Sequence, residues 1–323
     1  MRIVRLISAV LAIAFAVSLF VVPQAKAQDT TNIEYLKKLK EYEKKKKEWE
    51  RKKREAQLKG EALKRENEKK KFLNEGNQLF KEGKYDQAIE SYKKALAIDD
   101  SFALAWYGLG LSYRKTRHPN KALEAYNKAI ALDSTYSKAY VAKGVLLAEM
   151  GKLREALKSY QEAVKIDPTN AKAYYSMGVI FVRLKDNKKA AEMFRQATVI
   201  KPNYYLAYNS LGVSLLALGR TQEAISAFQQ AVAFNPRFYQ AYYRLAKALN
   251  DVGRHKEALD AAKKCIALRP RYAPAHIEAG RAYQALGKYN LAISEYQKAS
   301  HDVRWRKYAQ YQIDEIKRKQ KGM

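Results

Sequence analysis

The sequence predicts an all-α protein in which seven helix-turn-helix repeats follow a charged helix. From Lys69 to about Arg306 the chain repeats itself every 34 residues without an insertion. A fixed period of this length is typical of stacked helical units, each of which buries its apolar face only against its neighbours. The whole chain contains 14 Gly and 7 Pro among 323 residues. So few turn-forming residues favour helices over a fold rich in strands.

The first 27 residues have the pattern of a secretory signal peptide. Arg2 and Arg5 precede an apolar run at residues 6–22, and the small residues Ala25 and Ala27 follow. We expect cleavage after Ala27, so that the mature protein is periplasmic or secreted. A membrane anchor formed by the uncleaved signal is the alternative, because an uncharged, mostly apolar run of 17 residues approaches the length of a spanning helix.

Residues 28–68 predict a charged helix that has no core of its own. Residues 28–71 contain 17 Lys or Arg against 10 Asp or Glu, with no proline and one glycine. Thr31 and Glu34 fit a capping box at the start of this helix. Eight acidic residues stand four positions before a basic one, and each such pair stabilises a helix by about 0.2–0.5 kcal/mol.

A stripe of larger residues recurs along this charged helix with a spacing of seven. It consists of Tyr35, Tyr42, Trp49, Ala56 and Leu63. A coiled coil needs a second apolar position in each heptad, and here that position is apolar only at Leu39. The pattern therefore favours a single solvated helix over a dimeric coiled coil, and the oligomeric state stays open. The helix is either a spacer or a segment that binds anions.

The repeats carry the same residue types at the same places. The second unit reads Trp106-x-x-Leu109-Gly110-x-x-Tyr113, followed by Ala122, Tyr126 and Ala129. This resembles the tetratricopeptide repeat, whose helical hairpins show this pattern. The resemblance covers residues 69–306 in seven units. It implies a right-handed α-solenoid, and residues 307–323 look like the capping helix and basic tail of such an array.

One small residue in each unit marks the place where the two helices of a hairpin are expected to cross. These residues are Gly76, Gly110, Gly144, Gly178, Gly212, Ala246 and Gly280. A glycine inside a helix costs about 0.5–1 kcal/mol relative to alanine, so its recurrence predicts a close neighbour. Large aromatic residues elsewhere in each unit are predicted to fill the core, and Cys265 is interpreted as a small packing residue.

The resemblance implies that an extended peptide or a partner helix binds the concave face, which is built from the first helix of each unit. The residues mapped to this face are Tyr107, Leu111, Val141, Val145, Tyr175, Val179, Asn209, Val213, Tyr243, Arg244, Lys247, Ile277 and Arg281. Units two to five would present an apolar wall, and units six and seven would add positive charge. A protein or peptide with a hydrophobic segment and an acidic end would suit this surface. Alternatively, some of these side chains pack between units and line no groove.

The sequence contains no pattern that is typical of a catalytic, cofactor or metal site. The four histidines, His118, His255, His276 and His301, show no spacing with acidic residues that would build a metal site. A single cysteine excludes both an intramolecular disulfide and a Cys-based metal cluster. No phosphate-binding glycine loop follows a strand. We therefore expect a scaffold or adaptor that has no catalytic activity.

The formal charge of +29 predicts attraction to anionic partners. Removal of residues 1–27 takes away three basic residues and leaves +26. An alternative function follows, in which the basic helix tethers the protein to an anionic membrane or a cell-wall polymer. Nucleic acid is disfavoured as a partner, because no module that reads it is recognised and export would separate the two.

Overall fold

A computed structural model describes residues 33–322, and the described residues form fifteen helices without a strand. The predicted all-α solenoid is confirmed. The chain divides into two compact units, Met1–Glu68 and Lys69–Met323. The predicted signal peptide and Thr31 lie outside the described residues. No helix within residues 33–322 combines the length and the apolar character needed to cross a bilayer.

The helices beyond Lys69 alternate between the first and the second helix of each repeat, with unit one at residues 69–102 and unit seven at 273–306. The fifteen helices are α1 (Ile33–Lys81), α2 (Tyr85–Ile98), α3 (Ala103–Lys115), α4 (Pro119–Leu132), α5 (Ser137–Glu149), α6 (Leu153–Ile166), α7 (Ala171–Arg183), α8 (Asn187–Ile200), α9 (Tyr205–Ala217), α10 (Thr221–Phe234), α11 (Tyr239–Asp251), α12 (His255–Leu268), α13 (Ala273–Ala285), α14 (Tyr289–Ser300) and α15 (Val303–Lys321). From α3 onward each helix packs against the next one. The core therefore lies between successive helices along the array.

Turn residues fix the lengths of these helices. The second helices of units three to six end two residues before Pro168, Pro202, Pro236 and Pro270, since proline has no backbone N–H with which to continue a helix. Between the two helices of a hairpin, one residue adopts a left-handed conformation. In unit three this residue is Gly151, with a φ of 77°. Lys185 takes the same place in unit four with a φ of 61°, a conformation that is costly for a residue with a Cβ.

The predicted helix crossings lie directly against aromatic rings. A Cβ at Gly178 would lie 2.6 Å from Cε1 of Phe194. The same arrangement recurs in the pairs Gly76–Tyr92, Gly110–Tyr126, Gly144–Tyr160, Gly212–Phe228 and Gly280–Tyr296. The predicted close approach is thus confirmed, and the close neighbour is a ring of the second helix.

Unit six replaces the glycine and the aromatic ring together. Ala246 and Ala262 stand at these two places, and both are fully buried. Cys265 is also fully buried, and its thiol donates a hydrogen bond to the carbonyl oxygen of Tyr239 at 3.3 Å. Burial raises the pKa of the Cys265 thiol to about 12, which agrees with the interpretation of this cysteine as a packing residue.

The last helix covers the apolar end of the array. Ala309, Ile313 and Ile316 of α15 are buried in one cluster with Tyr296 of unit seven. The helix begins at Val303, four residues before the predicted start of the cap. Unit seven lacks the proline loop of units three to six, and α14 ends at Ser300, so the turn into α15 is short.

The part of α1 that precedes Lys69 is a solvated helix. Glu41 pairs with Lys45 at 2.8 Å and Glu48 with Lys52 at 2.7 Å, both in the predicted i,i+4 orientation. Trp49 is half-buried beneath the ammonium group of Lys53, which lies 4.9 Å from the ring centroid. The helix thus presents mainly charged side chains.

Candidate interaction groove

One side chain in the middle of each first helix recurs at the same register along the array. The recurring residues are Leu111, Val145, Val179, Val213, Lys247 and Arg281. Val179 and Val213 are each 37% exposed, and Leu111 and Val145 are half-buried. Side chains at one register of successive repeats line one surface. We call this row the groove row, and it is apolar in units two to five and basic in units six and seven.

The three predicted groove tyrosines occur in alternate units, and each contacts a tyrosine at the end of its own unit. The ring centroids lie 5.0 Å apart in Tyr107–Tyr136, 5.2 Å apart in Tyr175–Tyr204 and 5.6 Å apart in Tyr243–Tyr272. All three groove tyrosines are half-buried. Burial raises the pKa of Tyr107 and of Tyr243. These rings are parts of the core that keep some exposed surface.

Two of the three intervening units place their corresponding residues deeper in the protein. Ile277 is 2% exposed and packs in the core cluster with Tyr296. Asn209 is 8% exposed, and its Oδ1 accepts a hydrogen bond from Nη1 of Arg244 at 3.0 Å. Val141 is half-buried against the core of unit three. Ile277 and Asn209 therefore offer little surface to a partner, as the alternative interpretation of the sequence allowed.

The basic end of the groove row is bound to carboxylates of the same chain. Nζ of Lys247 lies 2.9 Å from Oδ2 of Asp251, and Nη2 of Arg281 lies 2.9 Å from Oδ1 of that carboxylate. Nη1 of Arg281 lies 2.8 Å from Oε2 of Glu278. Units six and seven thus carry basic residues on the groove row, but neighbouring carboxylates compensate the charges of Lys247 and Arg281.

A buried amide completes this charged network. Nδ2 of Asn250 donates to both the carbonyl oxygen and Oε2 of Glu278, each at 2.9 Å. Burial raises the pKa of Glu278, although the bond from Asn250 and the nearby Arg281 oppose this effect. Burial also acts to raise the pKa of Asp251, but hydrogen bonds from Lys247 and Arg281 outweigh it and the pKa is lowered. The network ties α11 to α13.

Sequence reasoning missed the acidic members of this network. At the register of Glu278, the earlier units carry residues without negative charge, from Asn74 to Arg244. Glu278 also stands three residues before Arg281 on the same helix, a spacing at which opposite charges meet. A comparison of the units register by register would therefore have found Glu278. The contact of Asp251 with Arg281 joins two helices, so helix spacing could not reveal it.

A second buried polar pair lies outside the groove row. Nδ1 of His276 lies 2.6 Å from Oε2 of Glu295, and Nε2 lies 2.8 Å from the carbonyl oxygen of Pro270. His276 stands where units two to six carry an aromatic residue. Both partners are acceptors, so both hydrogen bonds require the doubly protonated ring. No group of three His, Cys, Asp or Glu within residues 33–322 is arranged to hold a metal ion.

Comparisons with known proteins agree with the fold of the array. Models described as tetratricopeptide repeat match residues 103–136, 125–158, 171–204, 209–273 and 273–300, and a model described as TPR repeat matches residues 76–116 and 144–185. No curated protein matches the chain.

Solved structures of this architecture are similar to the chain. The C-terminal part of a TPR repeat-containing protein from Cytophaga hutchinsonii is 20% identical with a TM-score of 0.62, and the match covers 75% of this chain and 99% of that one. PilF of Pseudomonas aeruginosa is 20% identical with a TM-score of 0.57, covering 65% and 96%. YrrB, described as a TPR protein with an unusual peptide-binding site, is 24% identical with a TM-score of 0.51, covering 58% and 96%. These likenesses show a shared fold.

Proposed function

The chain belongs to the tetratricopeptide repeat family, and we therefore propose that it is a non-enzymatic scaffold that binds a segment of a partner protein in its groove. The observation that carries this proposal is the exposure of Val179 and Val213, at 37% each, beside half-buried tyrosines. Apolar side chains that remain exposed in a row are typical of surfaces that receive an amphipathic helix or an extended peptide. YrrB, which has the same fold, has a peptide-binding site.

The groove row favours a partner whose contacts are mainly apolar. In units two to five the row presents Leu111, Val145, Val179 and Val213. Its basic end is already paired with Asp251 and Glu278, so an acidic group of a partner would have to compete with these carboxylates. Burial of the valines by the partner would then contribute roughly 25 cal/mol to the free energy of binding for each Å² of apolar surface removed from water.

A pair of charge substitutions in the groove row tests this proposal. Immobilised wild-type protein is incubated with extract of the native cell envelope, and the retained proteins are identified at low and at high salt. We expect Val179→Asp with Val213→Asp to lose the proteins that high salt does not release, because a charge cannot be buried there without a partner. The control is Val252→Asp with Val303→Asp, which changes exposed valines outside the row. Equal retention by both variants would place the binding surface elsewhere.

We also propose that the protein acts outside the cytoplasm, with a mature chain that begins at Gln28. The support is the sequence pattern of residues 1–27, in which Ala25 and Ala27 suit a signal peptidase. The N-terminal sequence of protein from fractionated cells tests this proposal. Recovery of Met1 or Arg2 on a membrane-bound form would instead establish the uncleaved anchor.

The charged helix supports a second function, electrostatic tethering to an anionic membrane or wall polymer. The charged side chains of residues 36–68 are nearly all exposed and the segment is basic. A chain that starts at Lys69 should keep the melting transition of the array and bind anionic vesicles less tightly than the full mature chain at low salt, since the accessible charge is reduced. Unchanged vesicle binding by the shortened chain would make this helix a spacer.

A further inference from the structure

The loops that join one unit to the next change the sign of their charge along the array. In the first three loops the residue after the helix is Asp99, Asp133 or Asp167, and the corresponding residues of the next three are Lys201, Asn235 and Arg269. The acidic side chains accept hydrogen bonds within their own loops, and Asp99 also pairs with Lys69 of α1 at 2.6 Å. Oδ1 of Asp133, for example, accepts hydrogen bonds from the backbone and the hydroxyl of Thr135 at 2.9 and 2.7 Å. One edge of the array is therefore acidic in its first half and basic in its second half.

The basic half of this edge consists of Lys201, Arg237, Arg269 and Arg271, which we call the basic loop edge. All four side chains are exposed. Within residues 33–322 none of them has an Asp or Glu oxygen within 4.0 Å. Their positive charges are therefore not compensated, in contrast to those of Lys247 and Arg281.

Aromatic rings hold two of these bases in place. Nζ of Lys201 lies 5.2 Å from the ring centroid of Tyr204, and the guanidinium group of Arg269 lies 5.0 Å from that of Tyr239. Such contacts orient a cation without neutralising its charge. Asp302, which lines a shallow cleft together with Arg271, is itself paired with Arg304 at 2.7 Å.

The loops of the basic loop edge form one continuous surface. The ring of Tyr205 contacts Phe238 of the next loop with centroids 5.1 Å apart, and Tyr239 contacts Tyr272 of the loop after that at 5.2 Å. Tyr205 and Phe238 belong to unit five, and Tyr239 and Tyr272 belong to unit six, so each contact joins the residue that follows one loop to the next loop. The four basic residues are thus presented on successive, connected loops of one edge.

Exposed apolar side chains stand immediately beside these bases. Val199, Phe234 and Leu268 lie at the ends of α8, α10 and α12, directly before the three loops, and they are 69%, 43% and 37% exposed. At the register of the last two, the acidic half carries Leu132 and Ile166, which are 43% and 36% exposed, so Val199 is the exposed apolar side chain that is particular to the basic half. A lipid interface offers phosphates to the bases and an apolar boundary to such side chains.

We propose that the basic loop edge docks on the surface of a membrane that contains anionic phospholipids. Lys201, Arg237, Arg269 and Arg271 contact the headgroup phosphates, and Val199 enters the boundary between headgroups and acyl chains. The acidic loops of units one to three are repelled by the same surface, so the array is oriented with its second half against the membrane. The contact uses neither the groove row nor the charged helix, and a partner bound in the groove would be held beside the bilayer.

Charge reversal with a matched control tests the site. The chain that begins at Gln28 is mixed with vesicles of phosphatidylcholine and phosphatidylglycerol, and binding is measured by co-flotation. Lys201→Glu, Arg237→Glu, Arg269→Glu and Arg271→Glu together should weaken binding by at least about ten-fold, since each basic residue near an anionic surface contributes a factor of roughly five. The control carries Lys128→Glu, Lys158→Glu, Lys256→Glu and Lys264→Glu, with the same change in net charge on exposed positions of second helices. Equal losses in both variants would overturn the proposal.

A fluorescent label separates a lipid surface from a soluble polyanion. Val199→Cys carries a polarity-sensitive dye, and the label is selective because the native Cys265 is fully buried. We expect a blue shift with the anionic vesicles, and none with pure phosphatidylcholine vesicles or with heparin. A dye that stays in a polar environment on bound vesicles, or that responds equally to heparin, would show that this edge does not enter a lipid interface. This measurement decides the proposal even where the four-residue variant fails to fold.

Discussion

The ring of Phe194 occupies the space in which a side chain at Gly178 would begin. A Cβ at Gly178 would lie 2.6 Å from Cε1 and 2.7 Å from Cδ1 of this ring. Gly178 lies in α7 and Phe194 in α8, so the contact sets how closely the two helices of unit four cross. Phe194 is 1% exposed and has little room to move away.

Gly178→Leu should therefore lower the free energy of unfolding by about 3 kcal/mol or more, because four added carbon atoms must enter an overpacked crossing. Urea denaturation followed by circular dichroism measures the effect. Gly60→Leu is the matched control, since a Cβ at this helical glycine meets nothing within 4 Å. If Gly178→Leu and Gly60→Leu both had the stability of the wild type, the helix crossing would accommodate a larger side chain without strain.

The sixth unit allows the same relationship to be tested in reverse. Ala246 and Ala262 replace the glycine and the aromatic ring, and both are fully buried. Ala262→Phe alone should destabilise the array by about 1–3 kcal/mol, because the Cβ of Ala246 stands in the place of the new ring. Adding Ala246→Gly should recover a large part of this loss. Additive effects of the two changes in a double-mutant cycle would contradict the expected coupling.

The fold followed from the sequence because each signal recurs in most units. The glycine of the crossing and the aromatic residue that meets it occur in six of the seven units, and the proline after the second helix occurs in units three to six. Each depends on local geometry, so a period of 34 residues predicts it repeatedly. The capping helix was less well predicted. The sequence predicted a start at residue 307, and the helix begins at Val303. Unit seven has no proline loop, and the repeat pattern gives no signal beyond the last repeat.

The groove was harder to predict, because exposure depends on neighbouring units. Tyr175 and Ile277 stand at the same register of the first helix, yet Tyr175 is half-buried and Ile277 is 2% exposed. Ile277 packs in one cluster with Ala309, Ile313 and Ile316 of the capping helix, which covers unit seven. The pairing of Arg281 with Asp251 likewise spans two helices, and a pattern within one helix cannot show it.

Removal of the Asp251 carboxylate should leave the positive charges of Lys247 and Arg281 less compensated. Asp251→Asn leaves Lys247 and Arg281 without their common partner, and the free energy of unfolding should fall by only about 0.5–1 kcal/mol, because solvent screens this partly exposed network. At low salt the variant should bind a polyglutamate peptide more tightly than the wild type does. Asp260→Asn makes the same change in net charge at an exposed residue of α12. Equal gains in both variants would show that the effect is one of overall charge.

The buried pair of His276 and Glu295 should make the stability of the array depend on pH. Burial acts to lower the pKa of His276, but the hydrogen bonds to Glu295 and Pro270 outweigh it and the pKa lies above its ordinary value of 6.5. The stabilisation is thus fully present below about pH 6.5 and is lost as the pH rises through the higher pKa of the folded state. Burial acts to raise the pKa of Glu295, but bonds from His276 and Lys298 outweigh it and the pKa is lowered. Its contribution is present above the ordinary value of 4.5 and is lost as the pH falls through the lowered pKa.

His276→Gln should therefore lower the free energy of unfolding near pH 6 by about 2 kcal/mol, the size of a lost charge-assisted hydrogen bond. The difference from the wild type should shrink as the pH rises above the folded pKa of His276, because the neutral ring no longer donates to both acceptors. Denaturant titrations across this pH range measure both effects. His301→Gln, which changes an exposed histidine of the same unit, should leave the stability profile of the wild type intact. If His276→Gln lowered stability by the same amount at every pH, the loss would come from packing alone, and the protonated ring would have no part in holding α13, α14 and the preceding loop together.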